Sequence, residues 1–176
     1  MGFEVGFLKD FTKRLTYYKT LGDNTFAQLA DDDFFFAASP NSNSIAVIVQ
    51  HLHGNMLSRF TNFLHEDGEK PWRNRDTEFD LIYNSKQAVL QGWEEGWQCV
   101  FNAMASLRPE DLTKTVYIRS EPLLLYDALL RQLAHYPHHV GQILFIGKMI
   151  KDAQWQPLSI VKGGSEQYNQ QLGHKA

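Results

Sequence analysis

The chain contains one cysteine, Cys99, and this scarcity limits its chemistry. It excludes an intrachain disulfide framework, and it leaves no cysteine pair for a structural zinc site. Any bound metal must therefore use nitrogen and oxygen ligands. A lone thiol suits a reducing compartment, so we expect a cytoplasmic protein. We expect Cys99 itself to be inert, because nothing near it in the sequence favours a lowered thiol pKa.

Several other common signals are missing. No apolar run reaches the length of a membrane span, about 18 residues or more, so we expect no membrane partner. The first residues are typical of an amphipathic helix and not of a signal peptide, because charges separate the apolar side chains. The formal charge is −3, and the absence of a basic stripe argues against nucleic-acid binding. Neither a glycine-rich phosphate loop nor a serine-nucleophile motif occurs.

What is present favours one packed helical domain. The 176 residues, 43% of them hydrophobic, suffice for one core and are too few for two, so we expect a single domain over residues 1–176. Four segments with helical periodicity predict an all-α fold, a four-helix bundle with long connections. The predicted helices run from about Phe7 to Leu29, from about Ser44 to Leu64, from about Asp76 to Leu107, and onward from near Pro122.

The segments outside these helices carry weaker signals. Ser42 or Asn43 is the expected N-cap of the second helix. Between the third and fourth helices, TVYIR alternates and predicts a short edge strand. The tail from Asp152 onward, rich in glycine, glutamine and serine, is expected to pack as an extended arm or to fray. Gly92 and Gly96 lie one turn apart in the third helix, which favours close approach of a neighbouring backbone.

Three histidines form the main candidate site. His135 and His139 are four residues apart, so one helix can offer both imidazoles to one metal ion. His51 lies at the equivalent margin of the apolar stripe in the second helix. For an isolated pair with this spacing, two ordinary solvated histidines would be the more frequent outcome. The third histidine and the cost of burying an unpaired imidazole favour a three-histidine metal site with an open coordination position.

His138 is an alternative to His139, because Pro137 lies between His135 and both of them. An interior proline removes a helix hydrogen bond and can kink the helix, at a cost of about 3 kcal/mol. On a regular helix His138 is turned about 100° away from His139, so we prefer His135 with His139. The remaining histidines are expected to be surface, supporting or solvated residues, namely His53, His65 and His174.

Polar residues continue along both histidine-bearing faces. Asn55, Arg131 and Gln142, together with His138, are candidates for orienting a ligand or contacting a substrate. Arg73, Arg75 and Arg131 could each bind a carboxylate, although the default expectation for each is a solvated or salt-bridged surface charge. Trp93 and Trp97 are expected in the core.

Three stretches of the sequence resemble one known family. They are NSIAVIVQHLHGNMLSRFTNFL, DGEKPWRNRDTEF and LLRQLAHYPHHVGQILFIGKMI, and they are similar to a bacterial branch of the DinB/YfiT-like superfamily of metalloenzymes. The most specific part is the pattern HxxxHxGQ, which His135, His139, Gly141 and Gln142 match. His51, in HLHGN, corresponds to the helix-two histidine of that family.

The resemblance implies a four-helix bundle with a three-histidine site for a divalent metal, most often zinc or nickel. It also implies a homodimer and a reaction that uses a low-molecular-weight thiol or another small molecule, as in transferases and isomerases of the superfamily. A bound ion would lower the pKa of a water or thiol ligand, and an activated thiolate would give S-transferase chemistry. The alternative is a non-catalytic binding or dimerisation module whose metal stabilises the fold, favoured by the lack of an obvious general base.

Overall fold

Helices form most of the described chain, residues 2–173 of a computed structural model; the expectation for His174 falls outside these residues. The expected all-α character is therefore confirmed, with the addition of one small sheet. The α-helices are α1 (Phe3–Phe26), α2 (Ile45–Phe60), α3 (Lys86–Ser106), α4 (Leu125–Lys151) and α5 (Ser165–Gln171). Single turns of 3-10 helix lie at Asp32–Phe35, Pro109–Thr113 and Asp152–Gln154.

The sheet is a hairpin of two antiparallel strands, β1 (Thr115–Ile118) and β2 (Glu121–Leu124). β1 is the strand predicted in TVYIR. Arg119 and Ser120 turn the hairpin with φ values of 56° and 62°, as a two-residue turn between twisted strands requires. The backbone N–H groups of both residues donate to the carboxylate of Asp67, which ties the hairpin to the connection between α2 and α3.

Serine side chains define two helix starts. Ser44, and not Ser42 or Asn43, caps α2, because its hydroxyl accepts a hydrogen bond from the N–H of Val47. Ser85 caps α3 in the same way through the N–H of Ala88. The predicted start of the third helix near Asp76 is therefore wrong by nearly three helical turns, since α3 begins at Lys86. The residues before Ser85 are bound instead by the Gln50 side chain, as described below.

α4 differs from its prediction at the start and matches it in the middle. It begins at Leu125 and not near Pro122, because Pro122 pairs with Tyr117 in the hairpin. It then continues through Pro137 to Lys151 without a break. In the tail, the expected extended arm contains the short helix α5.

The core lies where α2 packs against α3 and α4, with α1 packed against α4. Trp93, Trp97 and Tyr136 are buried at its centre, which confirms the expectation for both tryptophans. Burial of each large apolar side chain contributes about 1.5–3 kcal/mol. Gly96 permits the contact of α2 with α3, since a Cβ there would lie 2.9 Å from Met56 Sδ and 3.4 Å from the backbone Cα of His53.

Within residues 2–173, none of the helices combines the length and the apolar character that crossing a membrane requires.

Candidate metal centre

The three predicted histidines lie together at the contact of α2 with α4. His51 Nε2 is 3.2 Å from His135 Nε2, and His139 Nε2 is 3.1 Å from the same atom. The ligand nitrogens of all three lie within 4.8 Å of one another, close enough to hold a metal ion. In a tetrahedral site with metal–nitrogen bonds of about 2.0–2.1 Å, two ligand nitrogens lie about 3.3 Å apart. The two short separations match that value.

The outer nitrogens of two rings are held by neighbouring side chains. His51 Nδ1 is 2.8 Å from Glu78 Oε2, and His139 Nδ1 is 2.9 Å from Gln142 Oε1. Both oxygens accept, so the ring protons lie on Nδ1 and both Nε2 atoms present lone pairs. His135 Nε2 can donate to only one of these two neighbours. The three nitrogens are therefore rich in lone pairs, a donor set that suits a bound cation.

Burial keeps two of the imidazoles neutral. It lowers the pKa of His135 to about 3, and the neighbouring His139, His51 and Arg73 act in the same direction. Burial also lowers the pKa of His139 to about 4, outweighing the hydrogen bond with Gln142, which acts in the opposite direction. Both rings are neutral at pH 7, so neither must lose a proton before it binds a metal.

A buried ion pair of Arg73 and Glu78 lies on the Nδ1 side of His51. Arg73 donates from Nε to Glu78 Oε1 at 2.9 Å and from Nη2 to Oε2 at 2.8 Å, with the two side chains only 2% and 6% exposed. Burial raises the pKa of Glu78, but the hydrogen bonds from His51 and Arg73 outweigh it, and the net pKa is lowered. An ionised carboxylate behind a ligand histidine fixes the ring and raises its basicity.

Arg73 is therefore not the surface charge expected by default, because it is buried and binds a carboxylate. Arg75, by contrast, matches the default: its side chain is 40% exposed and lies 3.7 Å from Glu69.

α2 itself brings Glu78 to the site. Gln50 Nε2 donates to the carbonyl oxygens of Glu78 and Asp80, and its Oε1 accepts from the N–H of Ile82. One turn along, Gly54 leaves space for the carboxylate, since a Cβ there would lie 2.6 Å from Glu78 Oε1. These contacts explain why residues 76–84 are not part of α3.

The ring of Phe79 stacks on His51, with centroids 5.1 Å apart and an angle of 19° between the planes. Phe79 thus covers one face of the His51 ring while remaining half-exposed. Neither it nor Glu78 was among the sequence candidates. They lie in an aperiodic connection where nothing local separates Glu78 from its acidic neighbours. The one signal is Gly54, a glycine inside a predicted helix one turn after His51.

The remaining candidates are divided between the site and its surroundings. Gln142 contacts His139 as described, and its Nε2 is 3.2 Å from Nε2 of the exposed His138, which does not join the three histidines. Asn55 is buried, and its Oδ1 accepts from the Tyr136 hydroxyl at 3.2 Å. Arg131 is half-exposed and lies 3.9 Å from Glu121.

Two residues expected to lie outside the site do so. His53 turns toward α3, where its Nε2 is 3.4 Å from Glu95 Oε2, and its Nδ1 is 2.9 Å from the hydroxyl of Tyr83 in the connection before α3. Burial raises the pKa of the Cys99 thiol, which agrees with an inert cysteine.

Comparison with curated proteins gives no match. Comparison with solved structures gives none either. The model of one protein family, described as a protein of unknown function (DUF1572), matches residues 3–164 and so nearly the whole chain. The chain therefore belongs to the DUF1572 family.

Proposed function

We propose that this protein is an enzyme that depends on a divalent metal ion held by His51, His135 and His139. The observation that carries the proposal is the convergence of three Nε2 atoms, two of them on rings oriented by Glu78 and Gln142. Three protein ligands leave a position for a further ligand, as in catalytic sites. Imidazole ligands suit zinc or nickel.

The proposal includes the arrangement of the helices. Four helices, α1 to α4, form a four-helix bundle of the DinB/YfiT type, and a homodimer is the expected assembly. The packing of α2 on α3 and α4, and of α1 on α4, supports the bundle. The HxxxHxGQ similarity in α4 supports the family type, and the dimer rests on that similarity alone.

The proposed reaction is transfer to a small-molecule thiol. A bound divalent ion supplies Lewis acidity that lowers the pKa of a thiol or water. In the transfer, the thiol sulfur forms a bond to an electrophilic carbon, the leaving group departs with the bonding electron pair, and the thiol proton passes to solvent. Cys99 is not this thiol, since it contacts Thr61 and the Met56 carbonyl between α2 and α3.

The residues of the chain have separate parts in this chemistry. Glu78 holds the proton on Nδ1 of His51 and so keeps Nε2 available. Gln142 orients His139 in the same way, and Phe79 excludes water from one face of the His51 ring. Arg73 keeps Glu78 ionised and fixed.

A second candidate function is a non-catalytic module whose metal stabilises the fold. One observation favours it: both oxygens of Glu78 are bound by Arg73 and His51, so the carboxylate nearest the histidines is not free to act as a general base.

Metal analysis tests the first step. Protein purified without a histidine tag, loaded with zinc and desalted, is expected to retain about one ion per chain, and His135→Ala is expected to lose it. His65→Ala, which changes an exposed histidine, is the matched control and should retain the ion. Substoichiometric metal after loading, or unchanged metal in His135→Ala, would contradict the proposal.

Thiol consumption then separates the two functions. The zinc-loaded protein is expected to accelerate loss of thiols in the presence of electrophiles, and chelation should abolish the acceleration. A loaded protein that is inactive in this assay, but whose melting temperature falls on chelation, would favour the non-catalytic module.

A further inference from the structure

A groove of about 470 Å³ lies beside the histidine centre, between α4 and the connection that leads into α2. Its walls include Ala38 and Ser42 from that connection, and Gln142, Phe145 and Met149 from α4. Small-molecule sites have volumes of about 300–1,000 Å³, so this groove has the size of a binding site.

The lining of the groove is free of formal charge. None of its lining residues among positions 2–173 is Asp, Glu, Lys or Arg, although these types make up 21% of the chain. The larger cavity along α3, by comparison, is lined by Glu94 and Glu95. Ile48, Met149 and the 70% exposed Phe145 are among the residues that give the groove an apolar surface. Its polar lining residues are Ser42, Asn43, Gln142 and His138. A ligand that matches this lining is uncharged and mainly apolar.

Gln142 connects this groove with the histidines. Its Oε1 binds His139 Nδ1 at 2.9 Å, and its Nε2 is 3.2 Å from His138 Nε2, while both Gln142 and His138 line the groove. A guest in the groove therefore touches the side chain that orients one of the proposed metal ligands.

We infer that the groove is the apolar subsite of the histidine centre, and that it receives the uncharged, mainly apolar part of a small-molecule substrate. The inference rests on the proposed function. Gln142 is the positioning residue that separates the subsite from His139, so occupation of the groove alters the surroundings of the metal.

Gly141 offers a way to fill the groove without disturbing the core. It lines the groove, and a Cβ at this position meets no atom within 4 Å. Gly141→Phe therefore places a ring in the groove, and it also replaces a poor helix former inside α4. Gly6→Phe is the matched control, because Gly6 lies in α1, away from the groove, and equally has open space around its Cβ.

The probe is N-phenyl-1-naphthylamine, a neutral apolar dye that fluoresces when it leaves water. The natural sequence and Gly6→Phe are expected to bind it with equal affinity, and Gly141→Phe at least tenfold more weakly. Circular dichroism and metal content should be the same for all three proteins. Equal binding by Gly141→Phe would overturn the inference.

A second measurement tests the connection to the metal. In cobalt-loaded protein of natural sequence, saturation with the dye is expected to change the visible absorption of the cobalt ion. An unchanged cobalt spectrum with the dye bound would mean a separate cavity and would also overturn the inference. Failure of the proposed function is distinguishable, because the protein would then lack metal or would not consume thiols, whatever the dye does.

Discussion

Replacing Glu78 by glutamine tests the ion pair that supports the histidine centre. Glutamine preserves the shape of the side chain and can still accept a hydrogen bond from His51, but it removes the charge that balances Arg73. The Arg73 side chain is only 2% exposed, so its charge stays buried and loses the carboxylate that binds it directly. Breaking a buried pair in this way costs about 3–5 kcal/mol. Because domains are stable by about 5–15 kcal/mol, we expect Glu78→Gln to lose a large part of its free energy of unfolding.

The same substitution weakens metal binding. Loss of a carboxylate behind a ligand histidine typically reduces metal affinity about 10–100-fold. Competition with a chromophoric chelator at pH 7 measures this effect, whereas urea unfolding with chelator present measures stability without the metal contribution. The double variant Arg73→Met with Glu78→Gln should recover most of the stability, because neither position then carries a buried charge, but it should not recover the affinity.

An exposed pair provides the control. Glu121→Gln removes a carboxylate 3.9 Å from Arg131, with side chains 65% and 50% exposed, and should cost less than about 1 kcal/mol. If the free energy of unfolding of Glu78→Gln lay within about 1 kcal/mol of that of the natural sequence, breaking the buried pair would not have the expected cost. Unchanged metal affinity would show that the charge of Glu78 does not strengthen metal binding by His51.

Three further changes test the site and its frame. Gly54→Ala places a Cβ 2.6 Å from Glu78 Oε1, so we expect a loss of about 1–3 kcal/mol in urea unfolding and weaker metal binding. Metal-free protein should lose thermal stability as the pH falls from about 6.5 toward 4, because unfolded histidines take up protons there while His135 and His139, with pKa values of about 3 and about 4, stay neutral in the fold. Ser44→Ala removes the cap of α2 and should cost about 1 kcal/mol in urea unfolding.

Each of these predictions has an outcome that contradicts it. Gly6→Ala, with open space around its Cβ, is the control for Gly54→Ala and should not destabilise the protein. Equal effects of the two substitutions would contradict a steric clash between the new Cβ at position 54 and Glu78. A melting temperature independent of pH between about 4 and 6.5 would contradict the neutral, buried histidines. Ser42→Ala, at an exposed serine, should change stability less than Ser44→Ala.

The histidine cluster could be predicted because its members follow a local rule. His135 and His139 are one turn apart on a helix that continues through Pro137, and His51 lies at the margin of an apolar stripe. Helical spacing and the apolar pattern are enough to bring such residues to one interface. The all-α character followed from the same periodicity, whereas the DinB/YfiT relationship stays a prediction.

Glu78 could not be predicted because its position depends on contacts far along the chain. Gln50 binds the backbone around Glu78 from about 30 residues away, and Gly54 supplies the space for its carboxylate. The same contacts explain the misplaced start of α3, since acidic residues near Asp76 are compatible with a helix until a side chain from α2 takes the backbone hydrogen bonds. Local propensity contains no information about such a partner.

The residues around the proposed ion come from two kinds of structure with different freedom to vary. The three histidines belong to packed helices, where a one-residue insertion would rotate them out of register. Glu78 belongs to the connection between α2 and α3, which tolerates changes in length and composition far better. If the three histidines hold a metal ion, a change in this connection can therefore alter the charge beside His51, and with it the electron density on that ring, while the helices that position the histidines stay the same. The Lewis acidity of such an ion would then be set by the connection and not by the helices.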